Sequence, residues 1–446
     1  MTDTTTSMPG VTKRQQLAWY LYDFGNSAYA AIVLLAVYST YFKNAVVGGA
    51  LGTRLWGTAI GIAMLVVAII SPIVGAIADY SGAKKRFLFV FTAQAVLFMG
   101  LLFFVQKGDI VTGMLFFILA EIGYRSAQVV YDAFLPEIAA PHEMGRISGI
   151  GWAVGSAGGI VILLLALPLI LVFPGTLTVR LVMVLGAVFY GISAVFIFIW
   201  LPERAPHRSL PAGENYITVG FKRLWRTIRE ASRYKQAVRF VIASIVFNGG
   251  VIAAMDFAAI LGGTLFGIQQ QGLIILVILV QVTNVLGAWV FGSLVQRASA
   301  KGSLLVAIGL MALAVLLIYI TPNATMFFMV ASLAGLAMAG VQSVSRTIVG
   351  LISPVAKSAE FYGFYSVAGR TSSFLGPLVY GWVAADFAHR YMLTHGMDPI
   401  AADKAGLRAG LFVMAGLMIV GMLILLLMDE KAAIAAAYEE SEITMS

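Results

Sequence analysis

Twelve stretches of roughly twenty apolar residues follow one another along this chain, and nothing constrains its fold more. Each is long enough to cross a hydrocarbon core of about 30 Å as a helix. They lie at approximately 17–43, 54–79, 87–106, 110–134, 147–173, 177–201, 237–266, 271–296, 303–321, 324–350, 361–388 and 406–428. Only 11% of the 446 residues are charged, against roughly 25% in soluble domains. A transmembrane β-barrel needs short segments of alternating polarity, and the sequence has none. The expectation is an all-α polytopic membrane protein with 12 transmembrane helices. Its 46 glycines then read as points of close helix approach.

The net charge of +8 does not point to nucleic acid, because the basic residues sit in short segments between the spans. One side carries Lys13, Arg14, Lys84, Lys85, Arg86, Arg146, the segment 202–239, Arg297, Lys301 and Lys357. The other carries Lys43, Arg54, Lys107, Arg180, Arg390, Lys404 and Arg408. The first set predicts the cytoplasmic face, with both termini inside and, in a bacterium, the inner membrane as location. The first ten residues lack the apolar core of a cleavable signal. The chain has no Cys, which excludes disulfides and thiolate chemistry.

The predicted organisation is a tail (1–16), a six-helix bundle (17–201), a linker (202–236), a second six-helix bundle (237–428) and a tail (429–446). Within the linker, 216–235 reads as an amphipathic helix. Phe221, Leu224, Trp225, Ile228 and Ala231 form its apolar side; Lys222, Arg223, Arg226, Arg229 and Arg233 form its basic side. Such a helix tends to lie flat on an anionic membrane surface; the plainer alternative is a solvated linker. An offset of 217 residues maps Gly75 to Gly292, Glu143 to Glu360 and Gly159 to Gly376, so the bundles look pseudo-symmetric. A duplicated six-plus-six design is characteristic of secondary transporters.

Glu121, Arg125, Gln128 and Asp132 recur at steps of four, three and four, which places them on one helix face. A charge at mid-membrane costs about 2.5–3.5 kcal/mol on insertion scales, so this stripe must face protein, water or solute. Asp23 with Asn26, Asn248, Asp256, Gln281 with Asn284, Gln342 with Arg346, and Arg370 add polar groups on other spans. In each half the first and fourth spans carry charge, while the third and sixth do not. A cavity lined by the polar spans accounts for this. Each group also has a structural alternative. Glu121 and Arg125 are an i, i+4 pair in the favourable order that can neutralise each other. Asp132 can anchor a loop, and Gln281, Asn284 and Gln342 can bond between helices. Arg125 is the expected substrate contact of the stripe.

The segment Gly75-Ala-Ile-Ala-Asp79-Tyr-Ser-Gly82-Ala-Lys84-Lys85-Arg86 resembles the signature loop of the major facilitator superfamily, with Tyr80 where that family has a basic residue. The corresponding Gly292-Ser-Leu-Val-Gln296 keeps the Gly and lacks the Asp. Three further stretches narrow the likeness. They are Trp19 to Tyr29; Tyr131-Asp132-Ala-Phe-Leu-Pro136-Glu137-Ile with Gly145 to Gly149; and Gly340 to Arg346 with Glu360 to Pro377. Together they look like the branch similar to the autophagy-related vacuolar amino-acid effluxer. Span seven departs, with Asn248-Gly249 where that branch has an acidic residue after the Asn. The resemblance implies two six-helix bundles, alternating access and a central cavity. It also implies a cytoplasmic gating loop of Gly75, Asp79, Gly82, Lys84, Lys85 and Arg86, with Asp132 beside it.

The expected activity is secondary active transport of a small organic solute, an amino acid or related carboxylate, in the export direction. Arg125, Arg346 and Arg370 would hold an anionic group, and Asp23 or Glu121 a cationic group or a coupling proton. No Gly-x-x-x-x-Gly-Lys-Ser/Thr loop is present, so no such ATP site is expected. His142, His207, His389 and His395 lie far apart, without metal-ligand spacing. The expectation is therefore no enzyme activity, cofactor, metal or nucleic-acid partner. A lipid-embedded monomer with a small-molecule substrate is expected instead. A non-transporting receptor on the same fold is the rival reading.

Overall fold

The computed structural model describes residues 11–80, 82–139, 143–203, 210, 213–231, 234–297, 299–353 and 358–445, and every regular element among them is helical. His142, His207, Lys357 and most of the N-terminal tail fall outside these residues. So do the side chains of Asp79, Arg223, Ala231, Glu360 and Tyr362. Twelve long helices occupy the places of the twelve expected spans. They are α1 (Lys13–Tyr29, continuing to Val47), α2 (Gly49–Tyr80), α3 (Lys84–Leu101), α4 (Ile110–Asp132), α5 (Met144–Val172) and α6 (Thr176–Trp200). After the linker helix (Tyr216–Ala231) come α7 (Lys235–Phe266), α8 (Gln270–Arg297), α9 (Ala300–Ile320), α10 (Ala324–Leu351), α11 (Ser358–His395) and α12 (Pro399–Leu426). A terminal helix, α13, spans Glu430–Met445. Among the described residues, eleven of the twelve are long and apolar enough to cross a membrane. The exception, α11, carries Arg370, Asp386, His389 and Arg390.

Helices satisfy the backbone within the segment, which a bilayer requires. The apolar side chains left exposed, such as Ile192, Ile199, Trp289 and Met329, are then lipid-facing rather than anomalous. Close approach depends on glycine at particular points. A Cβ on Gly158 would strike the Phe24 carbonyl of α1, and one on Gly376 would strike the Gly249 carbonyl of α7. The counterpart of Gly376 by packing is thus Gly158, one residue from the Gly159 matched by sequence offset. Gly75 and Gly292, by contrast, both face open space.

The chain divides into two compact units, Met1–Tyr41 with Val66–Lys222, and Phe42–Leu65 with Arg223–Ser446. In the first, α1 packs on α5 and α6, and α3 on α4 and α6. In the second, α7 packs on α11 and α12, and α9 on α10 and α12. These are equivalent pairings, so the internal repeat read from the sequence is also a repeat of packing.

Several helix ends differ from the expected spans. Segment 389–405, read as a loop, is helical except for Gly396–Asp398. Asp398 caps α12 by accepting from the amides of Ile400 and Ala401, and Pro399 stands in the first turn. An acidic cap followed by Pro is a helix-start signal. Lys404 and Arg408 consequently lie within α12, Arg54 within α2 and Arg180 within α6, not in loops. Lys84, Lys85 and Arg86 form the first turn of α3. The linker helix is described over Tyr216–Ala231, and Lys235 already opens α7.

Candidate functional site

Asp23 lies on α1 opposite a row of glycines on α5. Gly151, Gly155 and Gly158 recur at steps of four and three, so they line one face. A Cβ on Gly155 would sit 2.6 Å from Asp23 Oδ2, and one on Gly151 would strike the Trp19 ring. The missing side chains thus form the notch that receives Trp19, Asp23 and the Phe24 backbone. Ser27 Oγ donates to the Asp23 carbonyl at 2.9 Å. Among the described residues no cationic side chain pairs with the half-buried Asp23 carboxylate, and Asp132 is an anion within its electrostatic reach.

The wall beside Asp23 is aromatic. Trp19 stacks on Tyr131 with centroids 4.5 Å apart, and their backbones accept each other's side-chain hydrogens at 3.2 Å. Tyr22 stacks on the same ring, and its hydroxyl bonds Thr92 at 2.7 Å and Tyr190 at 2.9 Å. Tyr29 stacks on Tyr124 at 4.5 Å. These contacts fix the rotamers of α1 against α3, α4 and α6.

The polar stripe of α4 grades from buried to exposed. Glu121 is 1% exposed, Arg125 and Gln128 are half-buried, and Asp132 is exposed. Arg125 Nε donates to Glu121 Oε1 at 2.7 Å, so the neutralising pair foreseen as an alternative is formed. Gln128 Nε2 donates to Tyr124 Oη at 3.0 Å, and the Arg125 guanidinium lies 5.2 Å from the Tyr124 ring centroid. Glu121 Oε2 and Tyr29 Oη are within electrostatic reach, yet neither makes a hydrogen bond of good geometry; Asn26 Nδ2 makes none either. Tyr29 faces Glu121 and Asn26 faces Asp23, so these four side chains form one polar cluster.

The second unit has its own polar group. Asn248 Oδ1 of α7 and Ser345 Oγ of α10 are buried without a well-formed hydrogen bond, and Tyr365 of α11 faces both, as well as Arg346. Asn26 and Asn248 occupy similar places on α1 and α7, fourteenth from the first residue of each helix. Arg346 is exposed, while Gln281, Gln342 and Arg370 are half-buried. Asn284 is buried and donates to the Gly335 carbonyl at 3.3 Å, so it bonds α8 to α10.

The first turn of α3 collects acidic partners that sequence reasoning did not assign. Lys84 Nζ donates to Glu137 Oε1 at 2.6 Å and to the Ala133 carbonyl at 3.1 Å. The backbone amides of Lys84 and Lys85 both point at the Glu203 carboxylate, which caps the helix from beyond α6. Lys85 Nζ donates to the Phe198 carbonyl at 2.7 Å. Gly75 faces open space, Gly82 takes a positive φ of 59°, and Arg86 is exposed, its amide donating to the Ala83 carbonyl at 3.0 Å.

Lys43, expected in a loop, is instead 1% exposed. Its Nζ lies 2.5 Å from Asp403 Oδ2 of α12 and donates to Thr264 Oγ1 of α7 at 2.9 Å. Nothing in the sequence marks this pair beyond two unlike charges 360 positions apart.

Known proteins resemble this chain in sequence and fold. Residues 57–438 match the family described as "Vacuole effluxer Atg22 like". An uncharacterized MFS-type transporter, YxiO of Bacillus subtilis (strain 168), is 28% identical over 374 residues, covering 82% of this chain and 87% of that protein. Autophagy-related protein 22 of Yarrowia lipolytica (strain CLIB 122 / E 150) is 25% identical over 269 residues, spanning 53% of this chain and 45% of the fungal protein. In solved structures, a mutant form of the nucleoside transporter NupG superposes with a TM-score of 0.71 at 15% identity, over 93% of this chain and 99% of that one. An inward-facing, unoccupied bacterial homologue of the human lysosomal transporter Spinster gives 0.71 at 14% identity, over 96% and 99%. At these identities the likeness is one of fold.

Proposed function

We propose that this chain, which belongs to the Atg22-like vacuole effluxer family and is a multi-pass transporter of the major facilitator type, exports a small zwitterionic or anionic organic solute, an amino acid or related carboxylate, coupled to protons. The observation that carries the reading is the Asp23 carboxylate. It is half-buried in a glycine notch, with no cation paired to it among the described residues. A carboxylate in such a place binds an ammonium group or a proton, because desolvation penalises an uncompensated charge. Glu121 is the second acidic group, held by Arg125. Arg125, Arg346 and Arg370 supply guanidinium groups for a carboxylate, bonded with charge assistance. Asn26, Gln128, Gln281 and Gln342 supply neutral hydrogen bonds. Gly75, Asp79, Gly82, Lys84, Lys85, Arg86 and Asp132 act in gating at the cytoplasmic side, and both termini face the cytoplasm.

Proteoliposome flux tests this reading. A panel of labelled amino acids and organic acids is loaded, with and without an imposed pH gradient. The expected result is saturable flux that responds to the gradient and is lost in both Asp23→Asn and Arg346→Ala. Unchanged flux in both variants would overturn the residue assignment, and gradient-insensitive flux would overturn the coupling.

A further inference from the structure

The linker helix exposes an apolar edge that no described residue of the chain covers. Ile217, Phe221 and Trp225, at steps of four, are 54%, 41% and 67% exposed. Its neighbouring edge is the packed one. Gly220 lies close against the Pro72 carbonyl of α2, so a Cβ there would collide. Leu224 and Ile228 are half-buried, and Ile228 packs on Val241 and Ala368. At about 100° per residue, the helix surface beyond Trp225 carries Arg229, Lys222 and Arg226 in turn, about 40°, 60° and 100° further round. All three are exposed. Around the helix Gly220 and Leu224 give the packed edge, then Ile217, Phe221 and Trp225 the exposed apolar edge, which Ile228 enters only in the last turn, where Val241 and Ala368 cover it, and then comes the basic edge.

That order selects its partner. A protein groove would cover the apolar edge alone, and a solvated linker would not expose a Trp, a Phe and an Ile in a row. A leaflet of anionic phospholipid takes both, with the apolar edge at the acyl boundary and the basic edge among the phosphates. Trp at that depth places an amphipathic ring at headgroup level. We propose that the linker helix docks on the anionic leaflet through Ile217, Phe221 and Trp225, with Arg226 and Lys222 on the headgroups. Lys222 also meets Glu214 at 2.5 Å, so its contribution is shared with that carboxylate. The boundary between the two compact units falls inside this helix, between Lys222 and Arg223. Lipid that holds the helix therefore holds segments of both units, and anionic lipid stabilises the whole protein.

The absence of Cys makes the test direct. Single-Cys variants Phe221→Cys, Trp225→Cys and Arg226→Cys of the full chain are spin-labelled. They are reconstituted in vesicles of phosphatidylcholine with phosphatidylglycerol, or of phosphatidylcholine alone. With phosphatidylglycerol, labels at 221 and 225 should be more accessible to oxygen than to an aqueous nickel chelate, and the label at 226 the reverse. In phosphatidylcholine alone, or after Lys222→Gln with Arg226→Gln, the oxygen preference at 225 should fall. The melting temperature of the unlabelled chain should rise with phosphatidylglycerol content, and less so in the double variant. Labels at 221 and 225 that prefer the chelate in both vesicles would overturn the proposal. So would labels shielded from both reagents, which would indicate a protein contact instead.

Discussion

Lys43 and Asp403 form an ion pair at 2.5 Å with both side chains almost wholly removed from solvent, joining the end of α1 to the start of α12. Two buried charges are tolerated only together, since removing one partner strands the other. Breaking such a pair typically costs about 3–5 kcal/mol, whereas replacing both partners with apolar groups is often neutral. Lys43→Met and Asp403→Leu should each lower the melting temperature in detergent, and the double variant should recover most of the loss. Equal destabilisation by the single and double variants would contradict a coupled pair.

The same reasoning separates two roles for Arg125. Arg125→Ala leaves Glu121 buried without its cation and should destabilise by a similar amount. Glu121→Gln combined with Arg125→Ala should restore stability, because a neutral amide needs no counter-charge. Recovery of the fold without recovery of flux, with flux retained in Glu121→Gln alone, would assign Arg125 to the solute as well as to Glu121. Thermal melts run beside flux on Arg125→Ala, on the double variant and on Glu121→Gln alone separate these outcomes.

Gly155 offers a change confined to the notch. Gly155→Ala sets a methyl 2.6 Å from Asp23 Oδ2 and must displace the carboxylate. Solute-induced thermal stabilisation should disappear in this variant. Gly309→Ala, on α9 with nothing within 4 Å, serves as control. It should leave solute binding unchanged and stabilise the helix by about 0.5–1 kcal/mol.

Glu203 holds two amides at the start of α3. Loss of a capping carboxylate costs about 0.5–2 kcal/mol. Glu203→Ala should lower the melting temperature accordingly and speed amide exchange at Lys84 and Lys85. Unchanged exchange there would show that the helix start is held by other contacts.

The helices were legible because lipid imposes a strict rule. A span must be apolar and about twenty residues long, and this chain keeps that rule even where Pro72 and Pro168 interrupt it, with α11, which holds Pro377, as the exception. The α4 stripe was legible for the complementary reason, since charges in an apolar run stand out at helical spacing. The Asp23 notch was not, because Gly155 records only that a side chain is missing and says nothing of what fills the gap. Lys43 and Asp403 were hidden differently. Each stands near the end of an apolar run, where a charge is ordinarily solvated, and only the fold brings them together.

The second half of α1 is wound unevenly, with π-helical turns at Ala30–Ala36 and Phe42–Val47 on either side of a short α-helical turn. A π turn holds more residues than an α turn, so each one is a stored slip of register. Drawing a single residue out of the first would rotate everything beyond it by about 100° and advance it by about 1.5 Å. Such a rewinding would carry Lys43 off Asp403 and Thr264. The winding of α1 thus sets the bearing at which Lys43 meets Asp403 and Thr264.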